Sequence, residues 1–138
     1  MRSLVLPFQD DSGLLESKAP QLIGIENIFR YDSNTPSEKI CEELGEGVLV
    51  YTLSHPSGAE LERLEAIRDR RPNNSIVILF QNLNPETLAH LINEIGVDFI
   101  HPINEKESLL LESLKKSFAL TQQRFKRFDL TRDTALVN

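Results

Sequence analysis

The sequence has no tryptophan, a single cysteine and no apolar run long enough to cross a bilayer. The lone Cys41 excludes an intrachain disulfide, and no Cys and His residues have the spacing of a zinc site. A membrane span needs about 20 apolar residues, whereas the apolar stretch 4–8 contains Pro7 and is followed by two aspartates. We therefore expect no membrane contact and no structural metal, and the cysteine content favours the reducing cytoplasm.

Glycine is also scarce, and its distribution excludes two common classes of enzyme. The six glycines form no glycine-rich loop, so neither a dinucleotide-binding fingerprint nor a Walker loop is present. No histidine has a serine or cysteine partner in a recognisable nucleophile motif. The sequence predicts a protein that is not an enzyme and has no cofactor.

Positive charge is in deficit, with a formal net charge of −6. Nucleic-acid binding needs a basic face that displaces counterions from phosphates, so we expect no direct contact with nucleic acid. Basic residues are crowded only near the C-terminus, where they alternate with apolar positions: Lys115, Lys116, Arg124, Lys126 and Arg127. That pattern is typical of the solvated face of an amphipathic helix.

Short apolar runs alternate along the chain with segments of helical periodicity. The strand candidates are residues 3–8, 27–31, 47–53, 75–80 and 98–100. Three of them are continuous apolar runs, which is typical of strands covered on both faces. A chain of 138 residues is long enough for one domain. The pattern predicts an α/β fold with a doubly wound, five-stranded parallel sheet and helices on both faces.

Capping signals mark the helices between these strands. Thr35-Pro36-Ser37-Glu38 predicts a helix that begins with a capping box, and Gly45 predicts its end. A second helix is expected between residues 57 and 71, and a third between Asn84 and Gly96. Residues 12–24 contain an internal proline and predict a short or irregular helix.

The last helix is expected to begin near Glu105 and to run for more than 20 residues. Its apolar positions recur at steps of three and four, and Thr121 fills one gap in the stripe: Leu111, Leu114, Phe118, Phe125 and Phe128. Residues 1–120 are therefore predicted to form the domain, and residues 121–138 an extension of this helix with a connector or tail.

Exposed aromatic side chains on this extension would be unfavourable. We expect a homodimer contact through Leu111, Leu114, Phe118 and Phe125, with heptad spacing that suits a parallel pairing, or docking on a downstream effector domain.

Polar residues follow several predicted strands, where ligands bind in doubly wound sheets. Asp10 and Asp11 follow the first strand, Thr52 lies near the end of the third, Phe80 ends the fourth, and His101 ends the fifth. The segments "DD", "VLVYTLSHPSG", "NNSIVILFQN" and "GVDFIHPINEKESLL" resemble the strand ends of receiver domains of bacterial response regulators. The resemblance covers roughly residues 3–120.

The resemblance implies a site from which the chemistry has been lost. A working receiver uses an acidic pair to hold Mg²⁺, an aspartate as phosphoacceptor, a Ser or Thr, and a lysine before a proline. Counting back from Pro56 by the spacing of that family places Thr52 at the acceptor position, while Phe80 and His101 stand at the hydroxyl and lysine positions. Asp10 and Asp11 match the acidic pair, but solvated loop carboxylates are the simpler interpretation, because a metal site without a phosphoacceptor has no purpose.

In the same family the peptide bond before the last proline is commonly cis. The resemblance therefore implies a tight turn at His101-Pro102.

The function expected is that of a degenerate receiver, or pseudo-receiver. It would not accept a phosphoryl group and would mediate protein interaction or dimerisation, as the N-terminal regulatory domain of a bacterial transcription or two-component regulator. Two alternatives remain open: a phosphoaccepting receiver with Mg²⁺-dependent chemistry, and a small flavodoxin-like ligand sensor.

Overall fold

The computed structural model describes residues 3–7, 25, 27–53 and 58–137, with side chains up to residue 127. Five parallel strands form one sheet in the order β2-β1-β3-β4-β5. The strands are β1 Ser3–Pro7, β2 Asn27–Tyr31, β3 Val48–Leu53, β4 Ser75–Phe80 and β5 Phe99–Pro102. All five strand predictions are confirmed, and β5 extends through Pro102 because Ile103 N–H still donates to Phe80 O at 2.8 Å.

The described helices are α1 Ser37–Leu44, α2 Gly58–Arg70, α3 Pro85–His90 and α4 Glu107–Val137. A single π-helical turn, Leu91–Ile95, continues α3. The doubly wound α/β prediction is confirmed, as is the long last helix. The helix expected over residues 12–24 lies outside the described residues.

The sheet is buried on both faces, which explains its continuous apolar strands. Side chains alternate between faces along each strand. On one face, Leu49, Tyr51 and Leu53 of β3 and alternate residues of β4 pack beneath α1, α2 and the π turn that continues α3. On the other face, Val48 and Val50 pack against α4. The same strand therefore contributes to two separate apolar clusters.

The predicted start of α1 is wrong in detail. Helix α1 begins at Ser37 after Pro36, and no side chain caps its first N–H groups. The Thr35 hydroxyl instead accepts a hydrogen bond from Asp32 N–H at 3.0 Å and donates to the Asp32 carboxylate at 3.1 Å. Asp32 therefore engages the side chain that a capping box would have used.

The predicted boundaries of the third helix, Asn84 and Gly96, are confirmed for α3 taken together with the π turn that continues it. The Asn84 side chain accepts a hydrogen bond from Thr87 N–H at 2.7 Å, as an N-cap residue does. The π turn ends at Gly96, which lies in the left-handed region with φ 74°. Glycine adopts that conformation at the least steric cost.

Buried hydrogen bonds join α4 to the start of β4. The Thr121 hydroxyl accepts from Ser75 N–H at 2.9 Å and donates to the Ser75 hydroxyl at 2.8 Å. The Ser75 hydroxyl donates in turn to Ser117 O at 2.9 Å. Thr121 is therefore not a gap in the apolar stripe but a buried side chain whose polar atoms are satisfied within the core.

A carboxylate at the start of β5 holds the next turn of α4. Asp98 lies 2.6 Å from the Arg124 guanidinium and 3.2 Å from that of Arg68, and it accepts from Ile76 N–H at 2.9 Å. Burial lowers the pKa of Arg68, and the charge of Asp98 opposes this effect. This network fixes α4 at the edge of the sheet where the strands begin.

Candidate functional site

The strand register places two of the expected site residues in one row across the carboxyl end of the sheet. Thr52 pairs with Leu79, and Leu79 pairs with His101. Because side chains alternate, all three lie on the α4 face, with Thr52 and His101 two strand spacings, or about 10 Å, apart. Phe80 pairs with Leu53 and Pro102 in the next row, on the opposite face. The structure therefore does not bring Phe80 into the row of Thr52 and His101.

The backbone of Thr52 is engaged by a side chain from another strand. The Tyr31 hydroxyl accepts a hydrogen bond from Thr52 N–H at 3.0 Å. Among the described residues, β1 pairs with β3 at Leu4 and Val5, and the tyrosine provides an acceptor beyond this paired part. A tyrosine hydroxyl thus supports the end of β3 at the expected acceptor position.

Tyr31 belongs to a stack that covers this end of the sheet. Its ring lies parallel to that of Tyr51, with centroids 5.3 Å apart, and the Arg63 guanidinium lies over both rings. Arg63 also donates to Asp32 O at 2.9 Å. Burial raises the pKa of both phenols, so both are neutral at ordinary pH. We therefore interpret this stack as packing and hydrogen bonding rather than acid–base chemistry.

His101 is held inside the protein by both ring nitrogens. Nε2 lies 2.6 Å from the Ser113 hydroxyl, and Nδ1 lies 3.3 Å from the Glu105 carboxylate. The histidine side chain is 14% exposed and that of Glu105 is 21% exposed. The Lys106 N–H, and after it His101, lower the pKa of Glu105. His101 thus fastens the end of β5 to α4 and to the preceding loop.

The peptide bond before Pro102 is trans. The cis bond that the family resemblance implied is therefore absent at this position.

A carboxylate, an imidazole and a serine hydroxyl in this order resemble a charge relay of serine hydrolases. Ser113, however, lies within α4 and is 7% exposed. Backbone N–H groups inside a helix are already bonded to carbonyls one turn earlier, so they are not available to stabilise an oxyanion. We interpret Glu105, His101 and Ser113 as a structural link.

The described residues do not fit a Mg²⁺ site of the receiver type. The row that contains Thr52, Leu79 and His101 offers no carboxylate. No group of three or more His, Cys, Asp or Glu residues able to hold a metal occurs in the part of the chain that the structure describes. Asp10 and Asp11, the expected acidic pair, lie outside that part.

Comparison with known proteins identifies the architecture. No protein-family model and no curated protein matches the sequence. Among solved structures, a two-component transcriptional regulator, AraC, from Clostridium phytofermentans matches with a TM-score of 0.71 at 17% identity, over 90% of this chain and 97% of that one. The chain has the receiver fold.

Two further structures of that fold give the same result. A CheY-like receiver domain protein from Methanospirillum hungatei matches at 19% identity and TM-score 0.60, over 88% of this chain and 96% of that one. The signal receiver domain of an HD domain-containing protein from Pseudomonas fluorescens matches at 14% identity and TM-score 0.67, over 88% and 97% of the two chains. Identities this low establish the fold alone.

The residues expected to contact a partner are buried or half-buried within this chain. Leu111, Leu114 and Phe118 are 9%, 1% and 4% exposed and pack against the sheet. These three side chains form the core of this chain, so they do not provide a surface for a partner. Phe125 is half-buried, with its ring 6.0 Å from the Arg71 guanidinium. Past Phe118 the stripe therefore continues with a half-buried ring beside the residue that follows α2.

Sequence reasoning missed three residues that organise this end of the receiver fold: Tyr31, Glu105 and Ser113. Tyr31 appeared only as the last residue of a strand, and its hydroxyl contact joins residues 21 positions apart. Glu105 follows His101 by four residues, but that spacing predicts a contact only within a helix, and His101 lies in β5. No local pattern identified Ser113 as a partner of His101. A polar residue close to the apolar stripe of a helix indicates at most that some buried hydrogen bond exists.

No helix among the described residues is both long enough and apolar enough to span a membrane.

Proposed function

We propose that this chain is a pseudo-receiver: a signalling module that accepts no phosphoryl group and acts through protein contacts. The observation that carries the proposal is the row at the carboxyl end of the sheet, where Thr52 stands at the position expected for the acceptor and none of the paired strand residues described there, Thr52, Leu79 and His101, is a carboxylate. Transfer of a phosphoryl group to a receiver requires a carboxylate nucleophile and groups that neutralise charge on the phosphoryl oxygens.

The surroundings of Thr52 and His101 support the same proposal. Tyr31 engages the Thr52 amide, and Ser113 and Glu105 engage both nitrogens of His101. A lysine at this position would carry a mobile ammonium group that can reach a phosphoryl oxygen. The histidine instead holds α4 against β5, so its role is to maintain the receiver fold.

We further propose that the module is a regulatory domain of a larger bacterial regulator in the cytoplasm. Structures that share its fold include one named as a two-component transcriptional regulator and a receiver domain of an HD domain-containing protein. In this proposal residues 1–120 form the domain, Thr121 and Arg124 still hold α4 against it, and the rest of residues 121–138 leads α4 toward an effector domain. The partner is that effector domain or a second copy of the chain.

The test is phosphorylation with a small-molecule donor. The chain is incubated with acetyl phosphate and Mg²⁺, its intact mass is measured, and amide spectra are recorded with and without beryllofluoride. A phosphoaccepting receiver treated in parallel is the positive control. We expect an unchanged mass and unchanged resonances at Thr52 and His101. A phosphoryl adduct, or Mg²⁺-dependent shifts centred on Asp10, Asp11 and Thr52, would contradict the proposal.

A further inference from the structure

A groove of about 310 Å³ lies between α1 and the end of α2. Five side chains line it: Glu38, Cys41, Glu42, Arg70 and Arg71. Cys41 and Glu42 follow Glu38 by three and four residues, so all three share one face of α1. Arg70 is the last residue of α2, and Arg71 follows it. Helix α1 therefore supplies two carboxylates to the groove, and the end of α2 supplies two guanidinium groups.

Two contacts cross the groove, one near each end of α1. The Arg70 guanidinium lies 3.8 Å from the carboxylate of Glu38, in the first turn of α1. The Arg71 guanidinium donates to the carbonyl of Gly45, the residue that follows α1. Cys41 and Glu42 lie between these two contacts along the helix. The middle of the groove is therefore at these two residues, with an arginine on either side.

The two arginines differ in how firmly they are held. Arg71 also donates through Nε to the side chain of Asn74 at 2.9 Å, and Asn74 is buried. These bonds fix the Arg71 guanidinium. The Arg70 and Glu38 side chains are 55% and 68% exposed, and ion pairs this exposed contribute little to stability. A ligand can therefore replace the contact between Arg70 and Glu38 without a large loss.

The floor of the groove is a neutral thiol. Cys41 is buried, and burial raises the pKa of its thiol, while the charges of Arg70 and Arg71 oppose this effect. Both guanidinium groups thus lie close enough to the thiol to act on it. A buried thiol behaves as a small apolar group. The floor therefore suits a short apolar part of a ligand.

The charges that line the groove balance. Glu42 is exposed and forms no ion pair with another described residue. A small anion is attracted by the two arginines but repelled by Glu38 and Glu42, and a small cation meets the reverse. A molecule that carries one charge of each sign avoids this conflict. The groove therefore favours a zwitterion over a simple ion.

We propose that this groove binds a free α-amino acid. The carboxylate of the ligand accepts from the two arginines, because planar guanidinium groups match carboxylate oxygens. Its ammonium group faces the two glutamates, and a short side chain lies over the Cys41 thiol. The groove is on the opposite face of the sheet from Thr52. The inference goes beyond the proposed function, because it gives the signalling module a small-molecule input.

The test is a titration of the isotope-labelled full chain with L-alanine, followed by amide chemical shifts. We expect saturable shifts at Cys41, Glu42 and Arg71, with a dissociation constant in the millimolar range because exposed charges each contribute little. N-acetyl-L-alanine lacks the ammonium group, and L-alaninamide lacks the carboxylate. Each of these analogues should bind at least about fivefold more weakly than L-alanine.

Two substitutions test the placement of the ligand. Arg70→Gln and Glu42→Gln should each weaken L-alanine binding by about three- to tenfold, since each removes one charged partner. Both side chains are exposed, so the fold should persist, and circular dichroism checks this. Lys39→Gln changes an exposed charge of α1 that does not line the groove. It is the matched control, with an unchanged dissociation constant expected.

Absence of saturable shifts with L-alanine would overturn the inference. Equal binding of either analogue would exclude recognition of a zwitterion, and undiminished binding in either variant would exclude this groove. These outcomes are independent of the phosphorylation test: a phosphoryl adduct would refute the pseudo-receiver proposal and leave the titration unaffected, and the reverse also holds.

Discussion

The hydroxyl of Tyr31 accepts a hydrogen bond from the backbone N–H of Thr52, 3.0 Å away, and so links β2 to β3. Strand β1 lies between these two strands in the sheet. A side chain from an outer strand thereby supplies the acceptor that the end of a central strand needs. This bond makes Tyr31 the residue on which the geometry of the expected acceptor position depends.

Replacing Tyr31 by phenylalanine should expose this dependence. The ring of Tyr31→Phe keeps its stacking on Tyr51, but Thr52 N–H loses its acceptor. We expect a loss of about 1 kcal/mol in the free energy of unfolding and faster hydrogen exchange at the Thr52 amide. Tyr51→Phe is the control, because it leaves the Thr52 bond intact. Equal protection of the Thr52 amide in both variants would count against the bond.

Stability should fall at alkaline pH, in part through the same tyrosine. Burial raises the pKa of Tyr31 above its ordinary value near 10. Because the folded pKa is the higher one, the stabilising contribution is complete below pH ~10 and is lost as pH rises above it. Urea unfolding from pH 8 to 11 should show this decline, and Tyr31→Phe should flatten it. An identical decline in the variant would exclude Tyr31 as a source.

Asp98→Asn should be the most damaging of the single changes considered. It leaves the buried Arg68 without its charge partner and weakens the hold on Arg124. Removing one member of a buried pair costs roughly 3 kcal/mol. Glu38→Gln is the matched control, since the Glu38 to Arg70 pair is 3.8 Å apart and mostly exposed. Similar midpoints of urea unfolding for the two variants would contradict this account of Asp98.

Thr121→Val tests the buried link between α4 and β4. Valine has the shape of threonine but removes the acceptor of Ser75 N–H and the donor to the Ser75 hydroxyl. A buried N–H without a partner costs about 1–3 kcal/mol. Ser117→Ala should cost less, because the Ser117 hydroxyl donates to Ser113 O within the same helix. Thermal or urea unfolding of both variants provides the comparison.

The strand pattern was readable from the sequence because burial on both faces leaves unbroken apolar runs. Residues 75–80 illustrate this: every residue of β4 except Phe80 is buried, so the run has no polar interruption. The end of the π turn that continues α3 was equally readable, since Gly96 occupies a backbone conformation that few other residues adopt. In both cases the signal is local, and the physical cause lies within a few residues.

The contacts of the candidate site were not readable, because they join different elements of the fold and most of them join residues far apart in the chain. Tyr31 and Thr52 are 21 positions apart, and His101 and Ser113 are 12 apart. The capping box failed for a related reason: the pattern identified Thr35 but gave no information on the competition from Asp32. The apolar stripe of α4 was correctly identified as a buried surface. Its partner was misassigned because periodicity does not distinguish the chain's own sheet from a second chain.

Asp98 holds α4 at Arg124, well before the end of the helix. The helix continues for 13 residues from Arg124 to Val137, a distance of about 20 Å at 1.5 Å per residue. A tilt of roughly 10° about that anchor would swing the far tip by about 3.5 Å. If the three charged side chains rearranged in this way, a slight change at the anchor would become a displacement as wide as a methyl group at the far end of the helix.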